Sequence, residues 1–135
     1  MKLQGTYFKD GKFWISEIPF ISLMDQGKTK TESLRMIKTS VEELMSDLEL
    51  KCEIEDLGNG EFVLSSENVK LLICFVLRRL REAQGLSLRD VSSKLKHKSH
   101  TEYARHESGA TAMTLETFNR YIEVLTDKEL VIKIA

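Results

Sequence analysis

Between residues 70 and 105, nine Lys/Arg side chains stand against three Asp/Glu, a density of positive charge that suits a surface meeting phosphates. Within that stretch residues 86–95, LSLRDVSSKL, supply the apolar positions of a first short helix, Lys96-His97-Lys98 form a polar turn, and Ser99 opens a second short helix. Two short helices joined in this way, with a helix before and another after, can lay the second one in the major groove of DNA, where residues at its start read base edges. Other chemistries are poorly served. His97, His100 and His106 fall at spacings of 3 and 6 with no cysteine among them, which does not gather three zinc ligands. Ser, Cys and His form no recognisable nucleophilic triad, so neither a catalytic residue nor a metal or organic cofactor is expected. Charge counts alone leave a second reading open, in which the basic side chains only solvate their faces.

The elements that would position these residues can be read from period and punctuation. Residues 6–8 and 12–18 are β-rich runs around Asp10-Gly11, a hairpin signal because type I′ turns need positive φ. Pro19 ends the second strand, and residues 21–26 supply a third. Thr29, with Glu32 three residues on, makes a capping box for a helix whose Leu34, Ile37, Val41, Leu44, Met45 and Leu48 recur along one face. Residues 51–55 and 61–65 are two more strands around the turn residues Gly58-Asn59-Gly60. Residues 69–84 form a long helix with an apolar first half, loaded with Arg78, Arg79 and Arg81 further on and stopped by Gly85. Short helices then start at Ser87, Ser99 and Thr114, with Ser87–Asp90 and Ser99–Glu102 as reciprocal caps, and residues 130–134 alternate as a short terminal strand with a free edge.

The expected architecture is therefore α+β in two domains, residues 1–68 as a small sheet with one packed helix and residues 69–135 as an all-α domain with a short terminal strand. Their charges oppose: residues 1–68 hold 8 basic against 13 acidic side chains, net −5, and residues 69–135 hold 12 against 8, net +4. An acidic domain suits a basic partner. The first residues carry no apolar stretch of a secretory signal and no run reaches the ~18 residues of a membrane span, while Cys52 and Cys74 stand in no C-x-x-C pattern; a cytoplasmic protein is expected. Tyr7, Phe8, Phe13 and Trp14 along the hairpin fit core or cross-strand pairs better than a nucleic-acid stacking platform.

From residue 77 to 125, LRRLREAQGLSLRDVSSKLKHKSHTEYARHESGATAMTLETFNRYIEVL resembles the phage-repressor-like helix-turn-helix domain. Its SHTEYARHESG segment is similar to the variant found in HicB antitoxins. In the first half, YFKDGKFWISEIP followed by DQGKTKTESLRMIKTSVEELM resembles the HicB N-terminal domain, with Gln26-Gly27-Lys28-Thr29 at the family's Gln-Gly-x-Thr turn. The sequence departs from the common repressor pattern at Leu88, where many members carry Gln, and in a turn one residue longer.

This resemblance implies a partial ribonuclease-H-like first domain that neutralises a HicA-type mRNA-cleaving toxin, and a second domain that represses its own operon as a homodimer or higher oligomer on operator DNA. By position it places Ser99, His100, Thr101 and Glu102 at base edges or nearby phosphates, with Arg105 one turn on. Ser87, Arg89, Lys96 and Lys98 suit phosphate positioning. Structural alternatives stand beside these roles: Ser87 and Ser99 as caps, Glu102 as the completion of its box, Arg105 in a salt bridge. Asp10, Glu17 and Asp25 would supply complementary charge to the toxin; as a two-metal nuclease cluster they are poorly placed, Asp10 in a tight turn and Glu17 beside a Pro. The alternative function is a stand-alone transcriptional repressor without a toxin partner.

Overall fold

A computed structural model describes residues 1–96 and 101–134, which separate into two compact units, Met1–Phe75 and Val76–Ala135. The chain is mixed α+β, with a five-stranded antiparallel sheet and five α-helices among the described residues.

In the first unit the strands β1 (Lys2–Asp10), β2 (Phe13–Ile18), β3 (Leu23–Gly27), β4 (Glu53–Gly58) and β5 (Glu61–Ser65) lie in the order β3-β2-β1-β5-β4. The strand β1 runs further than the β-rich core of residues 6–8, because pairing of Leu3 with Leu64 and Gly5 with Phe62 supplies a ladder that local propensity does not. Its hairpin turn sits one residue later than Asp10-Gly11 suggests: Asp10 pairs with Phe13, leaving Gly11-Lys12 as the loop. Only Gly11 of that pair takes positive φ, +59°, so a type I′ turn, which needs both, does not form. Pro19 ends β2 by starting a 3₁₀ turn, Pro19–Ile21, closed by Ser22 in the left-handed region, which moves β3 two residues past the expected start.

Helix α1 (Lys30–Leu44) packs Leu34, Ile37 and Val41 on one face of the sheet against Leu3, Ile18, Leu23, Phe62 and Leu64. Thr29 Oγ1 accepts from the Glu32 N–H at 3.0 Å, while the Glu32 carboxylate accepts from Lys28 N–H at 3.2 Å, so the box reaches one residue upstream of the cap. The apolar stripe ends early. Met45 and Leu50 are buried, but Leu44 is exposed, because the helix stops there and a 3₁₀ turn, Ser46–Leu48, redirects the chain. Gly27 is where β3 meets the start of α1: a Cβ at this position would lie 2.5 Å from Ser33 N and 2.9 Å from Glu32 C.

A clasp fastens α1 to the far side of the sheet. Tyr7 Oη donates to Asp56 Oδ1 at 2.7 Å, Lys30 Nζ stands 2.9 Å from Asp56 Oδ2, and Gly58 N–H donates to Oδ1 at 2.9 Å. Held first by Lys30 and then by Tyr7, the Asp56 carboxyl is lowered to about 2. A folded value below the ordinary carboxylate value near ~4 makes its stabilisation complete above that pH and lost as pH falls through about 2. Denaturant midpoints measured down this acid limb are expected to fall less steeply in Asp56→Asn than in the parent chain; parallel limbs would contradict the clasp.

In the second unit α2 (Val69–Ala83), which starts in the first, continues into α3 (Leu88–Lys94), α4 (Thr101–Glu107) and α5 (Leu115–Thr126). Asn68 Oδ1 caps α2 by accepting from Leu71 N–H at 3.0 Å. Its end is a Schellman motif: Gly85 N–H donates to Glu82 O at 2.9 Å and Leu86 N–H to Arg81 O at 3.2 Å, with Gly85 at φ +66°. Leu77, Leu80, Val91, Tyr103, Phe118, Tyr121, Ile122 and Leu125 form the core, where Tyr103 meets Tyr121 edge-on at 4.9 Å. Among the described residues, 128–134 form no strand and have no ladder partner, so the short terminal strand expected over 130–134 is not seen.

Candidate nucleic-acid and partner interfaces

Helix α4 is short, seven residues, so its orientation must come from tertiary bonds rather than from its own cooperativity. The main one is a buried, two-point ion pair. Arg81 Nε and Nη2 donate to the two carboxylate oxygens of Glu107, both at 2.8 Å, and Arg81 Nη1 donates to Leu86 O at 2.9 Å. The side chains are 15% and 5% exposed, so the pair joins the last turn of α2, the α2–α3 corner and the last residue of α4 in one desolvated lock. Bonding to Glu107 holds the Arg81 guanidinium above its ordinary value despite burial. On the next turns of α4, Tyr103 is fully buried and His106 Nδ1 lies 2.6 Å from Tyr121 Oη. Burial pushes the Tyr103 hydroxyl up and the Tyr121 hydroxyl up to about 12, so both stay neutral anchors at any working pH.

The opposite side of α4 is open. Thr101, Glu102 and Arg105 are exposed there, and with His106 and Thr111 they line a shallow concavity. Arg105 Nε donates to Thr111 Oγ1 at 3.1 Å, and Thr111 N–H donates back to Arg105 O at 3.2 Å, so the loop after α4 steadies the guanidinium. Among the described residues no carboxylate pairs with Arg105; the salt-bridge alternative for it is not what forms. Arg89 on α3 and Lys96 just beyond it, at φ +57°, are exposed as well. Ser87 is committed locally: its Oγ accepts from Asp90 N–H at 3.0 Å and its own N–H donates to Asp90 Oδ2 at 2.8 Å, the expected capping box. Lys98, Ser99 and His100, with His97 and the Ser99–Glu102 cap, lie outside the described residues. The basic stretch is also less of a surface than its sequence suggests, since Arg81 is spent in the lock.

On the first unit, Ser16 is buried with its Oγ donating to Ser33 O on α1 at 2.7 Å, which fixes the helix-covered face of the sheet. Asp25 is cross-strand from Ser16 and so stands on that covered face, with Oδ2 shut from solvent and without a hydrogen-bond partner among the described residues. It therefore does not join Asp10 and Glu17 on one surface. Glu17 and Asp10 belong to the other face, Glu17 accepting from Thr6 Oγ1 at 3.4 Å and Asp10 exposed at the hairpin end. The same open face carries Phe8 opposite Ile15, Phe13 opposite Asp10, and Met24 opposite Glu17, with Phe8, Phe13 and Met24 all exposed. Tyr7 and Trp14 instead lie on the covered face, ring centroids 6.2 Å apart. The hairpin aromatics, all four expected in core or cross-strand pairs, thus divide by strand parity: Tyr7 and Trp14 face α1, while Phe8 and Phe13 are exposed on the other face.

Among the described residues no three His, Cys, Asp or Glu side chains gather as a metal site, and no helix is long and apolar enough to cross a membrane. Compared with known proteins, the chain matches no family model and no curated relative.

Proposed function

We propose that this chain is a cytoplasmic, non-catalytic antitoxin of the HicB type, which covers a HicA-type mRNA-cleaving ribonuclease with its first unit and represses its own operon by binding operator DNA with its second. In this reading the sheet with its single helix is a partial ribonuclease-H-like domain, and α3 and α4 are the two helices of a helix-turn-helix, α4 being the one that enters the major groove. The observation that carries it is α4 itself, locked from behind by Arg81–Glu107 while Arg105 projects from the exposed side with no described carboxylate to neutralise it. The acidic first half supports the partner: Asp10 and Glu17 flank exposed Phe8, Phe13 and Met24, an apolar patch with an acidic rim that suits a basic protein.

The division of labour on the DNA side is measurable by anisotropy titrations of the upstream DNA at several salt concentrations. Lys96→Ala is expected to weaken binding to all sequences alike and to lower the salt slope by about 1, as loss of one phosphate contact does. Arg105→Ala is expected to cost about 1–3 kcal/mol on the operator and far less on unrelated DNA. Equal losses on both DNAs for Arg105→Ala would remove it from base reading, and no salt-dependent binding at all would remove the DNA half of the proposal. On the partner side, reversing Asp10 and Glu17 together should slow association with the ribonuclease, whereas the inward Asp25 should matter only through folding.

A further inference from the structure

We propose that the buried imidazole of His106 is an acid-sensitive catch on α4, which holds the helix in place only while the ring is neutral. His106 is 7% exposed, and its Nδ1 lies 2.6 Å from the Tyr121 hydroxyl on α5. That contact has a direction. The exposed Arg120 guanidinium, 6.0 Å from the Tyr121 ring centroid, bonds the same hydroxyl, and a guanidinium can only donate. The hydroxyl oxygen therefore accepts from Arg120 and gives its own hydrogen to Nδ1, which must carry none. A proton arriving on Nδ1 would meet that hydrogen, forcing the hydroxyl to turn, and would place a charge where water barely reaches.

Among the described residues, the charges around the ring do not offset this. On α4 the Glu102 carboxylate and the Arg105 guanidinium share a concavity with His106, and α5 adds Arg120, so one negative group stands against two positive ones. The hydroxyls of Tyr103 and Tyr121 stay neutral, because burial pushes both up. From α2, Arg81 is matched by Glu107, while α3 turns Val91 and Ser92 inward and leaves Arg89, Asp90 and Lys94 exposed. An imidazolium is relieved only by release of α4 to water. The stability that the catch contributes is therefore present above the ordinary histidine value near ~6.5 and lost as pH falls below it. The helix so released is the one that projects Arg105, so DNA binding weakens in acid; that consequence rests on the proposed DNA-binding reading, but the catch itself does not. A histidine placed at a phosphate gives the opposite sign, tighter binding in acid.

Hydrogen exchange of the full chain at pH ~7.5 and ~5.5 tests it, a window that among unperturbed side chains only histidine crosses. Exchange is read as protection factors, which removes the intrinsic pH dependence. Protection of the α4 amides of residues 103–107 is expected to fall roughly tenfold, the loss produced by one proton that only the released state takes up, at the ordinary value near ~6.5. In His106→Asn, which keeps an acceptor near the Nδ1 position without titrating, that fall should vanish, and the amides of β1 and β5 should hold in both chains. The ring gives a readout that needs no variant: its carbon-bound proton shifts in the parent chain should stay those of neutral imidazole for as long as α4 is protected. Protection of α4 that is unchanged or rises in acid, an equal fall in His106→Asn, or a ring that takes its proton while α4 stays protected overturns the proposal. The full acid response in a chain that binds no DNA would leave the catch standing while the operator reading fails.

Discussion

Glu107→Gln is expected to destabilise the second unit by about 3–5 kcal/mol, because it strands the Arg81 guanidinium in a site with little access to water. In place of the two 2.8 Å bonds to a carboxylate the guanidinium would keep Leu86 O at 2.9 Å and one neutral amide oxygen, with only the half-exposed Glu82 carboxylate, 3.9 Å away, to balance its charge. A helical unit this small has a total stability near the low end of the usual ~5–15 kcal/mol, so the loss should leave it largely unfolded at moderate temperature. The first unit should remain folded, since its sheet and α1 form their own core. Thermal melts by circular dichroism should therefore show an early helical transition in the variant, with the fluorescence of the chain's one Trp, Trp14, changing later. Replacing both partners, Arg81→Met with Glu107→Leu, should recover most of the loss, since a desolvated pair contributes little net stability over apolar residues of similar volume. A single variant as stable as the parent would show that α4 is not held by this lock.

Gly27→Ala is the second large effect, about 2–3 kcal/mol against the first unit. The methyl would meet backbone on the α1 side, Ser33 N at 2.5 Å and Glu32 C at 2.9 Å, and neither can rotate away as a side chain could. The strand β3 would have to withdraw from the helix start, loosening the buried Ser16–Ser33 bond beside it. Trp14 is Gly27's cross-strand partner, so a urea titration followed by its fluorescence reports the site directly. An unchanged midpoint would mean that the approach is looser than the geometry shows. The result also gives the Gln26-Gly27-Lys28-Thr29 turn a physical reason: the glycine lets the strand touch the helix, and two residues on Thr29 caps it.

What was legible in the sequence was mostly local chemistry. Pro19 as a strand end, Thr29 as a cap, Gly85 as a helix stop and the Ser87–Asp90 box each depend on groups within a few residues of one another. What was not legible needed partners far along the chain. The full length of β1 depends on β5, and the Arg81–Glu107 lock joins residues 26 apart that no local signal links. Asp25 shows the same limit from the other side: in sequence it is one more acid in an acidic half, and only the β2–β3 register turns it toward α1. On the candidate DNA surface Arg89, Lys96, Thr101, Glu102 and Arg105 are exposed, whereas Ser87 spends both its Oγ and its N–H on Asp90. The turn chemistry between α3 and α4 lies outside the described residues.

The most direct measurement is an RNA-cleavage assay on the product of the small open reading frame beside this gene, co-expressed and co-purified with the chain. A stable complex that does not cut RNA is expected, with cleavage appearing when the chain is stripped away and disappearing when it is added back. The Asp10→Lys, Glu17→Lys double variant should re-inhibit more slowly. Failure of the two products to associate, or a complex that cuts RNA as fast as the free partner, would contradict it and leave a stand-alone DNA-binding repressor as the reading to pursue.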